Sequence, residues 1–243
     1  MPPRISAQRS EPLLFAHRGA SADAPDNSIE AFRLAVEMGT TALESDVFAS
    51  LDGQAVLSHD DNVGGLVRRQ VITKSEVADL PDGIPSLREL FEAVGTGVSL
   101  SLDIKHPEAI GPTVDALRAV ADDTGDNVVQ RAWLCHPDFE LICSWRSRWS
   151  DLRLVHSTRL DRVDGPERHA SALFEAGIDA VNFRAPDWTG GLTTLYHKFG
   201  IYCFGWDAHL ERVSAELLDM GCDAIFSNHV DRMLAARATV YGF

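Results

Sequence analysis

The residues of this sequence that could do chemistry follow short apolar segments of the kind that form buried strands. His17 and Arg18 come directly after the apolar run 13–16, and a second histidine, His59, ends the run 55–58. Two imidazoles at one site can act as base and acid, one taking a proton from an attacking oxygen and the other giving one to a leaving alkoxide. Taken alone, His17 and Arg18 are equally consistent with a solvated loop after a strand.

Three carboxylates occur at a spacing that places them on one face of neighbouring strands. Glu44 and Asp46 are two residues apart, so on a strand both point to the same side. Asp103 and Lys105 repeat this spacing on a later segment. Like charges on one face repel unless a cation lies between them, and a set without thiolates indicates a hard ion, Mg²⁺ or Ca²⁺. The alternative is an ion-pair network of these carboxylates with Lys105 and Arg18.

Eight candidate strands alternate with helical patterns along the whole chain. They are Leu13–His17, Thr41–Val47, Ser99–Lys105, Val128–Cys135, Leu152–His156, Ala180–Phe183, Ile201–Trp206 and Ala224–Ser227. Eight strands, each followed by a helix, predict an α/β fold of the (β/α)₈ or TIM-barrel type. An open doubly wound sheet is the alternative, although no glycine-rich phosphate loop follows a strand. Barrel active sites lie at the carboxyl ends of the strands, where the polar residues above are expected to meet.

One segment, about 48–86, breaks the alternation between the second strand and its helix. Asp52-Gly53 lies between apolar runs and predicts a hairpin, so the second strand is expected to continue into an excursion over the barrel. Long excursions of this kind are usually functional. We expect residues 12–243 to form a single domain and residues 1–11 a flexible tail.

Composition limits the possible partners and the location. With 243 residues and 45% hydrophobic residues, the chain suits one large domain with a sizeable core. A net charge of −14 argues against nucleic acid or an anionic membrane as the main partner. No apolar run reaches the roughly 18 residues of a spanning helix, and the N-terminus lacks a signal peptide. Four scattered cysteines indicate free thiols, so a soluble cytoplasmic protein without stable membrane insertion is expected. The oligomeric state stays open.

Six motifs in order resemble the glycerophosphodiester phosphodiesterase family of the phospholipase C-like phosphodiesterase superfamily. They are His17-Arg18-Gly19, Pro25-Asp26-Asn27-Ser28, Glu44-x-Asp46, Asp52-Gly53, His59-Asp60 and Asp103-x-Lys105, against HRG, PENT, ExD, DG, HD and ExK in the family. The C-terminal half resembles the family in Trp206 and in the stretch 221–228. The resemblance covers about residues 13–235. It implies a TIM barrel, a divalent cation and hydrolysis of glycerophosphodiesters to glycerol 3-phosphate and an alcohol.

The resemblance also implies roles, position by position. The matched positions are His17 and His59 as acid–base histidines, Glu44, Asp46 and Asp103 as metal ligands, Arg18 and Lys105 as phosphate contacts, and Trp206 as an aromatic of the substrate pocket. Asn27 matches the asparagine that orders the loop after the first histidine. The implied partner is a small-molecule phosphodiester.

The sequence departs from the family pattern at several positions. Asp103 stands where the family has Glu and is one methylene shorter, so a bridging water or a shifted ion would have to compensate. The run after His59-Asp60 lacks the family's arginine motif, for which Arg68 or Arg69 could substitute. Asn228 stands where Asp is common, and Asp207-Ala208-His209 replaces TVN. These changes leave the chemistry intact and affect the substrate.

Two further functions remain open beside hydrolysis. One is a lyase of the same superfamily that uses a substrate hydroxyl as nucleophile and releases a cyclic phosphate. The other is a non-catalytic phosphate-ligand binder on the same barrel.

Some further residues near predicted strand ends could line the pocket or have no role there, namely His136, His156, Asn182 and Arg184.

Overall fold

A computed structural model describes residues 5–64 and 69–242. Its strands are β1 (Leu13–His17), β2 (Ala42–Ala49), β3 (Ala55–Leu57), β4 (Asn62–Gly64), β5 (Arg69–Val71), β6 (Ser99–Ile104), β7 (Ala132–His136), β8 (Arg153–Ser157), β9 (Ala180–Arg184), β10 (Tyr202–Trp206) and β11 (Ala224–Ser227). Its α-helices are α1 (Ile29–Glu37), α2 (Leu87–Val94), α3 (Ile110–Thr124), α4 (Phe139–Arg148), α5 (Pro166–Glu175), α6 (Gly190–Lys198), α7 (Glu211–Asp219) and α8 (Val230–Tyr241).

Eight of the strands form a closed parallel barrel. The ring runs β1, β2, β6, β7, β8, β9, β10 and β11, and β1 pairs in parallel with both β2 and β11. Each barrel strand is followed by one helix, so the helices form the outer layer. The predicted TIM barrel is confirmed. The open doubly wound sheet is excluded because its edge strands would remain unpaired.

The predicted strands match the observed ones closely, with one exception. The segment Val128–Cys135 contains strand only from Ala132, because a 3₁₀ turn occupies Val129–Arg131. Val128 and Val129 are buried, but the polar residues Gln130 and Arg131 separate them from the strand. Two adjacent apolar residues do not distinguish a buried turn from a buried strand.

The excursion begins as the predicted hairpin. β2 continues past the barrel and pairs antiparallel with β3, with Val47 opposite Leu57 and Ala49 opposite Ala55. Gly53 has φ +77° in the connecting turn, a conformation that favours glycine. β4 and β5 form a second antiparallel pair, after which α2 begins at a capping box between Ser86 and Glu89.

The barrel interior explains why the functional side chains lie where they do. Below the mouth, Phe15, Phe204 and Phe226 pack against each other with ring centroids 4.7–6.2 Å apart. Side chains on a strand alternate between its two faces, so the next inward position lies two residues further along. Above Phe15 and Phe226 these positions are His17 and Asn228. The apolar layer is thus a floor on which the polar residues of the mouth are placed.

The N-terminal segment runs across the opposite end of the barrel. Ile5 donates a backbone hydrogen bond to the carbonyl of Asp219 at 3.1 Å. The backbone N–H of Arg9 donates to Asp223 Oδ1 at 2.9 Å. In the part of the chain that the structure describes, no helix has both the length and the apolar character needed to cross a membrane.

Candidate active site

The carboxyl ends of the barrel strands surround a cavity of about 230 Å³, called here the mouth cavity. It is lined by His17, Arg18, Glu44, Asp46, Ser101, Asp103, Lys105, Cys135, Ser157, Asn182, Trp206, Asp207, His209 and Phe226. Seven of the eight site residues that the sequence predicts are therefore brought together here. The exception is His59.

The corner after β1 is built by residues with left-handed backbone conformations. Arg18 has φ +56° and Gly19 has φ +79°. A Cβ at Gly19 would lie 2.6 Å from the carbonyl carbon of Ala31 in α1, so only glycine fits between the corner and that helix. The N–H of Ala20 donates to the Ala31 carbonyl at 2.9 Å and holds the two segments together.

His17 is held in one orientation at the end of β1. Its Nδ1 donates to Oδ1 of Asn228, on the far side of the barrel seam, at 2.6 Å. Its Nε2 faces Glu44 Oε2 at 3.8 Å, beyond hydrogen-bond distance. Burial lowers the pKa of His17, with the Asn228 hydrogen bond acting in the opposite direction. The imidazole is therefore neutral near pH 7, with a free lone pair on Nε2 that can accept a proton.

Glu44 lies almost fully buried on β2, with 6% of its surface exposed. The backbone N–H of Arg18 donates to its Oε2 at 2.9 Å. Burial raises the pKa of Glu44 well above its ordinary value, and the nearby carboxylates of Asp46 and Asp103 raise it further. A carboxylate in such surroundings gains strongly from a neighbouring cation.

Asp46 is the most heavily contacted group of the site. It is 3% exposed, and Lys105 Nζ lies 3.2 Å from its Oδ1. Its Oδ2 accepts from Asn27 Nδ2 at 3.1 Å. Arg18 Nε lies 3.1 Å from the same oxygen as a charge contact without hydrogen-bond alignment. The ion-pair network that the sequence left as an alternative is thus present around this carboxylate.

Asn27 orders the loop after β1, as its position in the family motif implies. It is buried, has φ +53°, and accepts a hydrogen bond from Ser45 Oγ at 2.7 Å. Its backbone N–H donates to the carbonyl of Arg18 at 3.0 Å. The side chain thus links Ser45 and Asp46 on β2 to the loop.

Asp103 and Lys105 complete the charged wall of the mouth cavity. Lys105 Nζ lies 3.4 Å from Asp103 Oδ2. Burial raises the pKa of Asp103, although the charges of Lys105 and His59 act against this. Burial alone would lower the pKa of Lys105, but the carboxylates of Asp103 and Asp46 raise it, so the amine stays charged.

The three carboxylates form a donor set that suits a hard divalent cation. They are oxygen ligands only, and Glu44, Asp46 and Asp103 outnumber the two cations paired with them. Among the described residues, these three carboxylates do not form a set whose ligand atoms all lie within 4.8 Å of one another. The three side chains line one cavity, but the side chains of Lys105 and Arg18 lie between them.

His59 lies outside the mouth cavity. With 42% of its side chain exposed, it lines a neighbouring cavity, the side groove, which also includes Asp26 and Asn27. Its Nδ1 lies 3.0 Å from Asp60 Oδ1. Its charge acts on the pKa of Asp103, so the histidine is close to the charged wall although it lines another cavity. Arg69, a predicted substitute for the missing arginine motif, is exposed in β5, and Arg68 lies outside the described residues.

The wall opposite the carboxylates combines residues that the sequence indicated, Trp206 and Asn182, with Ser157, which it did not. Trp206 lines it as expected, with the Arg184 guanidinium 6.0 Å from its ring centroid. Asp207 has φ +66° and lies 3.3 Å from His209, whose Nδ1 accepts from the backbone N–H of Asn228 at 3.3 Å. Only the alternation of β10 and β11 could have indicated that this loop reaches the cavity.

His156, at the end of β8, takes part in a buried series of hydrogen bonds. Tyr196 donates its hydroxyl to His169 Nδ1, and His169 Nε2 donates to His156 Nδ1, both at 2.8 Å. His156 Nε2 then donates to the carbonyl of Pro137 at 3.0 Å. Burial, together with the charge of His156, lowers the pKa of His169 to about 4. All four ring nitrogens in this series of hydrogen bonds are paired when both histidines are neutral. Neither histidine lines the mouth cavity.

One cluster of possible metal ligands lies at the opposite end of the barrel. The ligand atoms of His197, Cys203 and Asp223 lie within 4.8 Å of one another. Asp223 accepts from His197 Nε2 at 2.9 Å and from the backbone N–H of Cys203 at 2.8 Å. Burial raises the pKa of the Cys203 thiol well above its ordinary value, so it stays protonated. These groups tie α6, β10 and the start of β11 together.

Comparison with known proteins places the chain among phosphodiesterases. Residues 17–232 match the model of the glycerophosphoryl diester phosphodiesterase family. A Mycobacterium tuberculosis protein named "Probable glycerophosphodiester phosphodiesterase 2" is 36% identical over 251 residues, covering 90% of this chain and 88% of its own length.

Solved structures of low sequence identity share the fold. Thermotoga maritima glycerophosphodiester phosphodiesterase superposes with a TM-score of 0.78 at 20% identity, covering 95% of this chain and 100% of the other. An Oleispira antarctica phosphodiesterase in complex with the product sn-glycerol-3-phosphate has a TM-score of 0.79 at 21% identity, covering 93% and 96%. The match to the family model spans most of the chain and includes the ordered motifs of the mouth cavity. The chain therefore belongs to the glycerophosphoryl diester phosphodiesterase family of enzymes.

Proposed function

We propose that this enzyme hydrolyses glycerophosphodiesters to glycerol 3-phosphate and an alcohol, with a divalent cation, Mg²⁺ or Ca²⁺, as cofactor. The observation that supports this most strongly is the meeting of His17, two cations and three carboxylates in one cavity at the carboxyl end of the barrel. The substrate class follows from the family and from the names of its relatives.

Arg18 and Lys105 bind the phosphodiester group in this proposal. Both are fixed charges that line the mouth cavity, and both now contact carboxylates, chiefly Asp46. An anionic phosphate that replaces these contacts keeps each cation paired. As the leaving oxygen departs, the same cations stabilise the charge that develops on the phosphoryl oxygens.

His17 and His59 move the protons. His17 Nε2 accepts a proton from the attacking water, because Nδ1 is committed to Asn228 and Nε2 is open to the cavity. The new bond forms between water oxygen and phosphorus, and the bond from phosphorus to the alcohol oxygen breaks. His59, at the rim beside the charged wall, gives its proton to the leaving alkoxide. The alcohol is thereby released neutral.

Glu44, Asp46 and Asp103 would hold the divalent cation. When bound there it supplies positive charge that lowers the pKa of a nucleophilic oxygen and neutralises the phosphate. Asp103 is the least buried of the three, with a third of its side chain exposed. The hydrogen bond from Asn27 keeps the Asp46 carboxylate in place when Lys105 and Arg18 turn to the phosphate.

Product analysis tests the proposal and separates it from the other functions. Purified protein is incubated with glycerophosphocholine and glycerophosphoethanolamine in the presence of each ion, and products are followed by phosphorus NMR. We expect glycerol 3-phosphate to appear directly. A cyclic phosphodiester signal that persists would instead identify a lyase that uses a substrate hydroxyl. If the protein turned over no diester, including activated nitrophenyl diesters, the remaining candidate would be a non-catalytic phosphate-ligand binder.

A further inference from the structure

One buried side chain in the mouth cavity, that of Asn182, has an oxygen without a hydrogen-bond partner among the described residues. Asn182 lies on β9 and is 6% exposed. Its Nδ2 makes one long hydrogen bond, 3.4 Å, to Ser157 Oγ on β8. Its Oδ1 has no hydrogen-bond partner within residues 5–64 and 69–242. A buried amide oxygen without a partner destabilises a folded protein, and such groups therefore need an explanation.

The position of Asn182 in the ring relates it to the charged wall. β9 is four strands away from β2 in both directions around the barrel, so it lies directly opposite the strand of Glu44 and Asp46. Its neighbours in the cavity are uncharged, namely Ser157 on β8 and the Trp206 ring on β10. The mouth cavity thus has an ionic half and, opposite it, a half in which Asn182 and Ser157 are uncharged polar groups, with Asp207 and His209 further along on the side of Trp206.

The two halves suit the two parts of a glycerophosphodiester. A phosphate in the ionic half, bound by Arg18 and Lys105, directs its ester groups across the cavity. The unpartnered oxygen of Asn182 is an acceptor only, and a phosphodiester anion has no proton to donate to it. The hydroxyl groups of an esterified glycerol do have protons to donate.

Building on the function proposed above, we propose that Asn182 is the residue that selects for glycerol. Its Oδ1 accepts a hydrogen bond from a hydroxyl of the glycerol moiety, Ser157 makes a second polar contact, and the Trp206 ring packs on the carbon chain. A site built to pair a substrate hydroxyl discriminates strongly against an analogue that lacks it. The chain should therefore prefer diesters of glycerol to diesters of simple alcohols.

A pair of chromogenic diesters tests this directly. One is the p-nitrophenyl ester of glycerol 3-phosphate, and the other is p-nitrophenyl propyl phosphate, which has the same leaving group but no hydroxyls. We expect wild-type kcat/KM to favour the glyceryl diester by about tenfold or more. Asn182→Leu should lose roughly tenfold or more on the glyceryl diester and less than about twofold on the propyl diester.

The outcomes separate a specificity role from a structural one. Equal losses on both diesters would overturn the proposal, as would a preference that Asn182→Leu leaves unchanged. If Asn182→Leu does not fold by circular dichroism, Ser157→Ala is measured on the same pair, with a smaller loss expected on the glyceryl diester alone. If the wild type hydrolyses neither diester, the proposed function fails. Calorimetric binding of glycerol 3-phosphate against propyl phosphate, with and without the Asn182 substitution, then still tests the subsite.

Discussion

His17 Nδ1 donates a hydrogen bond of 2.6 Å to Asn228 Oδ1, across the seam where β1 meets β11. The amide oxygen can only accept, so the proton of a neutral His17 is kept on Nδ1 and the lone pair on Nε2. The bond also fixes the plane of the ring. Asn228 is therefore a positioning residue for the proposed base.

Asn228→Ala should lower kcat about ten- to hundredfold, because the tautomer and orientation of His17 are no longer selected and part of its proton-transfer contribution is lost. KM should change little, since Asn228 is not among the residues that line the mouth cavity. Steady-state kinetics measure both. Asn127→Ala is the matched control, because Asn127 is exposed in the loop before β7. A change in KM alone would contradict a positioning role.

Substitution of either proposed acid–base residue should reduce activity without reducing stability. His17→Ala and His59→Ala are each expected to reduce kcat/KM by at least about 10²-fold, the usual contribution of positioned proton transfer. Their side chains are 30% and 42% exposed, so the free energy of unfolding should change by less than about 1 kcal/mol. Urea titration provides this second measurement. His106→Ala, an exposed histidine beside Glu108, serves as the control. If His59→Ala kept its turnover, His59 would not be an acid–base residue, and the catalytic groups would all lie in the mouth cavity.

Removal of divalent cations should inactivate the enzyme. Without a cation the buried carboxylate of Asp46 keeps Lys105 and Arg18 paired and unavailable to phosphate. We expect dialysis against EDTA to reduce activity by about tenfold or more, and Mg²⁺ or Ca²⁺ to restore it. Calorimetric titration should show that Glu44→Gln binds the ion more weakly than wild type. Undiminished activity after chelation would refute the metal requirement.

Gly19 and Gly53 offer a matched pair for the stability of the corner after β1. Both have positive φ, +79° and +77°, but a Cβ at Gly19 would lie 2.6 Å from Ala31, whereas one at Gly53 would contact nothing within 4 Å. Gly19→Ala should therefore lower the free energy of unfolding by roughly 2–4 kcal/mol, through strain and overpacking together. Gly53→Ala should cost only about 1 kcal/mol. Equal costs in denaturant titrations would show that α1 moves freely to accommodate the methyl group.

Protonation of His169 should lower the free energy of unfolding at acid pH. Its folded pKa of about 4 lies below the ordinary value of 6.5, so between these values the unfolded chain binds more protons and stability falls as pH falls. The loss is complete near pH 4 and is on the order of 2–3 kcal/mol for this group. Unfolding of wild type and His169→Asn at pH 7.5, 5.5 and 4.5 measures it. The free energy of unfolding should depend less steeply on pH in the variant, and parallel curves would exclude this histidine.

Much of the fold could be predicted because the chain alternates so regularly. Several barrel strands carry inward polar residues near their carboxyl ends, among them His17, Asp46 and Asp103, and strand alternation together with the ordered family motifs places seven predicted residues in one cavity. The bounds of β7 could not be predicted, because Val128 and Val129 are buried in a turn rather than in a strand.

Contacts between segments that are far apart in the chain could not be predicted from the sequence. Asn228 lies 211 residues from His17, and nothing local at either position indicates that they touch. The placement of His59 depends on how the excursion folds over the rim, which the Asp52-Gly53 turn alone does not determine. The unpartnered oxygen of Asn182 is visible only when the neighbours of β9 are known.

The closure of the barrel has a consequence for biosynthesis. β1 leaves the ribosome first, yet its pairing on one side and the proper orientation of His17 both wait for β11. A nascent chain that has not yet produced β11 contains most of the charged wall but lacks the residue that orients the proposed base. Catalytic competence should therefore appear late and abruptly during translation, and a stalled or truncated polypeptide would remain a poor catalyst in the cell.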